Sequence, residues 1–365
     1  MRILFALPGL HRFDRGAEVA FISIAKELAK AGDLVTLIGS GKERVGTPYR
    51  FLHAASFGRE NFEAFPKIPL FRDECAYEEL SFVPALLQQY RPSEYDVTVT
   101  CGYPFTNWTL RHPTLSGYRP PHVFVTQNGD WPAYSNSREY RFFGCEGLVC
   151  TNPDFYERNA DRWRCRMIPN GVDCVRFRPG RPQRQEFGLP DDRLIVLMVS
   201  ALSFTKRVEA GIEAVSQISD AHLVVAGDGP LRQACDDLAA RRMPGRFTRF
   251  SLTPEQMPAL YRSADVFLHL SKEESFGNVF VEAMASGLPI VAHDSPRLRW
   301  IVGNDEFLLD TGDPVAIAHH IELARQSPAA SRHARAEKAA PFSWSRIGQA
   351  YREFLTDVVA QAKLT

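Results

Sequence analysis

Three absences narrow what this chain does. No apolar stretch approaches the roughly 18 uninterrupted residues that crossing a bilayer needs, and the N-terminal run over residues 3–7 is broken early by Pro8, Gly9, His11 and Arg12. That break comes too soon for the apolar core of a secretion signal, so the segment predicts a first β-strand entering a loop. The expectation is a soluble, cytoplasmic chain, with peripheral contact at the inner face of a membrane left open. Excess charge is also absent: Lys plus Arg and Asp plus Glu both total 43, so no global field attracts nucleic acid. Finally, the seven cysteines are odd in number and show no C-x-x-C pair or zinc-like spacing. They predict free, mostly buried thiols and no metal site.

What is present is an ordinary globular composition, 45% hydrophobic and 24% charged over 365 residues. That length exceeds what one core usually organises, so two domains of roughly 150 to 200 residues are expected. The strand at residues 3–7 is followed by a loop holding Gly9 and Gly16. Phe21, Ile24, Ala25 and Leu28 then recur at helical spacing, Gly32 stands where a helix stops, and residues 34–38 form a second strand. This βαβ pattern puts a helix N-terminus at a strand's carboxyl end. Short strands follow at 97–100, 123–126 and 148–150. Residues 57–72 are aromatic, basic and aperiodic, predicting a long surface loop or irregular helix. Residues 176–193, rich in Pro, Gly and charge, read as an interdomain linker. The alternation restarts with strands at 194–199 and 221–226 around a helix at 207–218. The fold class is therefore α/β, with two Rossmann-like doubly wound domains facing across a cleft.

The most informative stretch runs from Ser271 to Ile290. A strand at 265–270 leads into it, a strand begins at Pro289, and the middle has helical character from about 277 to 286. Ser275 is the candidate N-cap and Gly287 the C-terminal stop. Amides of Phe276, Gly277, Asn278 and Val279 would point out of the helix start, where a diphosphate can accept them. Glu282 lies one turn beyond Asn278, about 6 Å along the axis, within reach of a ribose. Glu274, ahead of the helix, would face a transferred sugar. A second reading stays open: Glu273, Glu274 and Glu282 as dipole partners and a solvated face.

Glu274 and Glu282, with seven residues between them, resemble the E-x7-E motif of retaining family 4 glycosyltransferases, also called glycosyl transferase group 1. The resemblance covers nearly the whole chain. Ile168-Pro-Asn-Gly-Val-Asp173 looks like the family's hinge, Leu223 to Leu231 like a strand and turn of its donor domain, and Phe342-Ser-Trp344 like the start of its C-terminal helix. It implies a GT-B fold with an acceptor domain over 1–170, a nucleotide-sugar domain over 171–340, and a helix over 341–365 that crosses back. It also implies a UDP- or GDP-sugar donor, a carbohydrate, lipid-linked or small-molecule acceptor, and no nucleic acid partner. Glu274 would hold the donor sugar, Glu282 the ribose, and Lys206 the leaving diphosphate. Gly16 would let backbone approach the phosphates, and Arg249 to Leu252 would border the base. No Asp-x-Asp motif is present, in keeping with transfer that needs no metal or other cofactor.

Three positions depart from the pattern. Ala201 stands where the family usually has Arg, Gln127 follows a strand where a histidine is usual, and 295–300 lacks the usual glycines and Glu. A lost charged hydrogen bond costs about 1.5–3 kcal/mol, and Arg297 or Arg299 is the candidate replacement. Gln127 would shape the sugar or acceptor contact. The competing readings are a non-catalytic partner of an active transferase and a GT-B nucleotide-sugar epimerase or hydrolase.

Overall fold

The computed structural model describes residues 1–113, 117–272 and 274–364. The chain folds as two compact units, Met1–Asn170 with Trp344–Thr365, and Gly171–Ser343.

In the first unit the apolar runs become parallel strands: β1 (Arg2–Ala6), β2 (Leu34–Gly39), β3 (Arg50–His53), β4 (Val97–Thr100), β5 (His122–Val125), β6 (Gly147–Cys150) and β7 (Cys165–Met167). Among the described residues they form one sheet in the order β3-β2-β1-β4-β5-β6-β7. Helices α1 (Gly16–Lys30), α2 (Glu74–Gln89), α3 (Phe105–Arg111), α4 (Trp131–Tyr134) and α5 (Pro153–Asn159) alternate with the strands. Helix α1 forms because Phe21, Ile24, Ala25 and Leu28 share one face, and all four are buried. It ends at Ala31, after which Gly32 takes φ +89°, a conformation glycine adopts without strain.

The second unit repeats the plan. Strands β8 (Leu194–Val199), β9 (Ala221–Ala226), β10 (Phe247–Phe250), β11 (Val266–His269), β12 (Ile290–His293) and β13 (Phe307–Leu309) lie parallel in the order β10-β9-β8-β11-β12-β13. Strand β8 is almost wholly buried and reads Leu-Ile-Val-Leu-Met-Val, the continuous apolar run expected of a strand covered on both faces. The covering helices are α6 (Val208–Ser216), α7 (Arg232–Arg242), α8 (Met257–Ser263), α9 (Asn278–Ala285), α10 (Pro296–Val302), α11 (Pro314–Arg325) and α12 (Ser331–Ala339).

Helix α13 (Trp344–Ala362) belongs to the first unit. Ile347, Tyr351, Phe354, Leu355 and Val358 make one buried stripe in the same core as α1, each worth about 1.5–3 kcal/mol in apolar burial. Gly348 permits this approach, since a Cβ there would stand 2.4 Å from Cβ of Glu27.

Two expectations change. Residues 176–193 do not form a linker: they lie inside the second unit, where Phe177 and Leu189 are buried in its core. Arg184 ties the stretch down by donating to the carbonyls of Asp191 and Arg193 at 3.1 and 3.3 Å. The cysteines are all free, but only Cys101, Cys150 and Cys235 are buried and the other four are half-buried. Residues 57–72 are a loop with one 3-10 turn (Arg59–Asn61). Its Phe62, Phe65 and Phe71 rings gather on Tyr77 with centroids 4.5–5.5 Å away. No helix among the described residues is long and apolar enough to cross a membrane.

Candidate active site

In the second sheet the winding reverses between β8 and β11, and loops leaving the carboxyl ends of two such strands open a crevice. Those loops carry the chemistry. The loop after β8 ends in a 3-10 turn, Phe204–Lys206, and the loop after β11 runs from Leu270 to Gly277. Lys206 and Glu274 are 68 residues apart in sequence, and Lys206 Nζ donates to Glu274 Oε1.

His269, the last residue of β11, completes the cluster by donating from Nε2 to the same oxygen at 3.0 Å. Its ring is buried and stacks edge-on against Phe280, and among the described residues its Nδ1 meets no partner. Burial opposes the charge on Glu274. The hydrogen bond and charge of His269 and the Lys206 ammonium outweigh it and hold the carboxyl down at about 2. Glu274 is thus a carboxylate at neutral pH, able to accept from hydroxyls. Arg297 donates to the backbone carbonyl of Glu274. Arg207 takes φ +55°, unusual for a residue with a Cβ, and its guanidinium fixes that kink. It donates to Leu270 O at 3.2 Å and to Thr311 Oγ1 and O, both at 2.6 Å. It therefore ties the two loops together rather than sharing the role of Lys206.

Helix α9 starts on Gly277, not on Ser275. Gly277 takes φ +87°, and a Cβ there would stand 2.6 Å from the Phe280 ring. That conformation favours glycine and displaces the serine as N-cap. Gly277, as the N-cap residue, brings no side chain of its own, and Asn278 and Val279 open the helix with their amides directed along the axis. Phe276 is buried against Trp300 and Phe342, at 6.2 and 5.8 Å between centroids. Glu282 sits half-buried one turn along, where Tyr261 Oη donates to its Oε2 at 2.8 Å. Burial pushes its carboxyl up to about 7 against the opposing pull of Tyr261 and Arg176. Glu273 lies outside the described residues.

Other expected site residues are engaged elsewhere. Arg299 closes on Asp294 with two bonds of 2.7 and 2.6 Å at the surface. The Arg249 side chain grips Asp236 at 2.9 and 3.0 Å, leaving only backbone at the end of β10, and Leu252 packs on the unit's core. In the first unit, Gly16 is exposed and opens α1. Gln127 forms a reciprocal amide pair with Asn170, at 2.5 and 2.9 Å, which uses its carboxamide structurally. That unit also holds a cavity of about 280 Å³ faced by Tyr103, Trp131, Tyr140 and Glu79. Among the described residues no cluster of His, Cys, Asp or Glu has the form of a metal site.

Sequence reading missed His269, Tyr261 and Arg207. His269 had one available signal, a polar residue inside an otherwise apolar strand directly before the acidic loop. Tyr261 is brought to the site only by tertiary packing, and Arg207, though next to Lys206 in sequence, has a role set only by its tertiary partners Leu270 and Thr311.

Comparison with known proteins bears on the whole chain. Residues 181–341 match the protein-family model described as Glycosyl transferases group 1, and residues 15–176 match Glycosyltransferase Family 4. An alpha-monoglucosyldiacylglycerol synthase of Streptococcus pneumoniae is 27% identical over 231 residues, 59% of this chain and 52% of the relative. A GDP-mannose-dependent alpha-(1-6)-phosphatidylinositol dimannoside mannosyltransferase of Mycobacterium tuberculosis is 33% identical over 210 residues, 54% of each chain. The chain spans about half the length of the curated relatives it matches. Among solved structures, a sucrose-phosphate synthase from Thermosynechococcus elongatus has a TM-score of 0.79 over 99% of both chains at 21% identity, a likeness of fold.

Proposed function

We propose, because this chain belongs to glycosyltransferase family 4 with a group 1 glycosyl transferase second half, that it moves a hexose-type sugar from a nucleotide-diphosphate donor to a hydroxyl acceptor with retention of configuration. The observation that carries the reading is the meeting of Lys206 and Glu274 at the switch point of the second sheet, next to the start of α9 at Gly277.

Each part has a role that its physics supports. The amides at 276–279 and the Lys206 ammonium suit a diphosphate, whose charge grows as it leaves. Glu274, ionised and half-exposed, would accept from hydroxyls of the transferred sugar. Glu282 would accept from the ribose once ionised. On donor arrival Lys206 would turn from Glu274 to the phosphates, so the resting ion pair keeps both charges compensated until substrate replaces it. Retention then follows if the departing phosphate helps deprotonate an acceptor on its own face. The mycobacterial relative is named for GDP-mannose and both relatives for glycosylated lipids, which supports a GDP-sugar within the expected UDP- or GDP-sugar donors and a lipid-linked or carbohydrate acceptor here. The aromatic cavity of the first unit suits a sugar-ring acceptor.

A thermal-shift panel of UDP, GDP, ADP and dTDP with their sugars tests the donor assignment. At a hundredfold over its dissociation constant a true ligand stabilises by about 2.7 kcal/mol. Glu282→Ala should lose that shift, with the apo melting point little altered. A variant that responds like wild type removes the ribose role.

A further inference from the structure

The opposite edge of the second sheet, at the amino ends of β8, β11 and β12, holds a cavity of about 340 Å³ that the proposed transfer does not use. Five arginines and three aspartates line it. Part of that charge is internally compensated: Arg184 holds Asp265 at 2.7 Å, and Arg325 is drawn outward to Asp220 at 2.8 Å. Asp191 and Asp192 are exposed at the rim.

Arg335 is different. Its side chain is only 9% exposed; Nε donates to Glu306 Oε1 at 2.7 Å and Nη2 to Ser327 Oγ at 3.3 Å. Its Nη1, however, is buried and among the described residues has no acceptor. A guanidinium carries five N–H donors in a fixed fork, and buried donors are normally satisfied. Arg332 stands one turn earlier on α12, and among the described residues neither it nor Arg193 has a carboxylate within ion-pair distance. The start of α12, uncapped by any side chain, adds its positive end to the same place. Gly287 keeps this geometry tight, because a Cβ there would stand 2.7 Å from the Arg332 carbonyl oxygen.

We propose that this cavity binds a phosphate-type oxyanion, free or as the monoester of a small molecule, accepting from Arg335 Nη1 and paired with Arg332 and Arg193. Planar forks suit such an anion because they donate bidentately. The site is separate from the donor crevice, which lies at the other ends of the same strands.

The test is calorimetric titration of the full chain with inorganic phosphate and with glycerol 3-phosphate, at fixed ionic strength against a chloride blank. Because the donor crevice itself suits phosphate, the titrations are repeated with Lys206→Ala. Saturable binding should persist in Lys206→Ala and weaken at least tenfold when Arg332→Ala or Arg193→Ala is added. Arg335→Lys, which can still reach Glu306, should lose it too. Tighter binding of glycerol 3-phosphate assigns the site to a monoester, and tighter binding of inorganic phosphate to the free anion. Absence of saturable binding by either anion in Lys206→Ala overturns the proposal, as does binding that Arg332→Ala and Arg193→Ala leave unchanged.

Discussion

The first sheet winds β3-β2-β1-β4 and the second β10-β9-β8-β11, so each reverses direction between its first and fourth strands, yet the carboxylates gathered near the two reversals behave in opposite ways. In the second unit Lys206 and Glu274 meet where solvent still reaches them, their side chains 24% and 20% exposed. In the first, Glu18 and Glu78 are all but sealed. Arg59 holds Glu78 at 2.8 Å, Arg15 adds a contact of 3.4 Å, and Glu79 accepts the Thr106 amide of α3 at 3.0 Å. Burial pushes Glu79 up to about 7 against the Thr106 bonds, whereas Glu274 is held at about 2. The same topology supplies a crevice in both. Whether a carboxylate there is structural or available depends on how far its partners seal it: Glu78 is 3% exposed beneath Arg59 and Arg15, whereas Glu274 keeps 20% exposure beside Lys206.

The largest effects should separate these two uses. On the proposed transfer, Lys206→Ala removes the cation that would face the leaving group and should lower turnover about 10²–10³-fold, with little change in melting temperature because His269 still holds Glu274. Glu78→Ala should do the reverse. It strands Arg59 among buried groups and should cost about 2 kcal/mol of stability, read as a fall in denaturation midpoint. If Glu78→Ala instead cut turnover at unchanged stability, the contrast between the two crevices would be lost.

A smaller effect lies in pH. Glu282 is raised to about 7 in the folded chain, so between its ordinary value and 7 the native state holds a proton that the unfolded chain releases. Its contribution to stability therefore declines as pH rises through that window. On the proposed ribose role of Glu282, donor binding should run the other way, because only the carboxylate could accept from both ribose hydroxyls. Donor affinity should rise roughly ninefold between pH 6 and 8, as the ionised fraction climbs from about a tenth to nine-tenths. Tyr261→Phe removes a bond that favours the carboxylate and should move this midpoint upward. Glu274 has the opposite sign: its stabilising contribution is present above the ordinary carboxylate value and fades as pH falls toward about 2. A flat affinity profile from pH 6 to 8 would detach Glu282 from the ribose.

Much of the fold was legible because parallel strands buried on both faces are written as short apolar runs, as at Leu194 to Val199. Edge strands β10 and β13 were not: β10, half-buried Phe-Thr-Arg-Phe, has no such run, and the apolar run of β13, Phe-Leu-Leu, is only three residues long. Composition misled at 176–193: Pro and Arg read as solvated linker, but arginine also satisfies buried carbonyls, as Arg184 does. Ser275 was the better capping chemistry, yet the left-handed turn at Gly277 decided where α9 begins. Local spacing could place Glu282 on a helical face. It could not show that Tyr261, 21 residues earlier, would be the hydroxyl bonded to it.

The finest test concerns the cation missing at Ala201. Arg297 and Arg299 are two residues apart on α10, so they point in different directions. Arg299 is spent on Asp294 at the surface, whereas Arg297 reaches the backbone of Glu274. If Arg297 both positions that loop and adds positive potential to the crevice, Arg297→Ala should lower turnover about fivefold, roughly the 1 kcal/mol of an ordinary net hydrogen bond. Arg299→Ala should leave turnover unchanged. Arg297→Lys separates the two contributions: it keeps the charge but not the fork, so recovery of turnover assigns the effect to potential, and continued loss assigns it to the grip on the Glu274 carbonyl. Equal losses in Arg297→Ala and Arg299→Ala would mean that the surface pair with Asp294 opens during turnover, and the distinction between the surface arginine and the one bonded to the Glu274 loop would fail on α10.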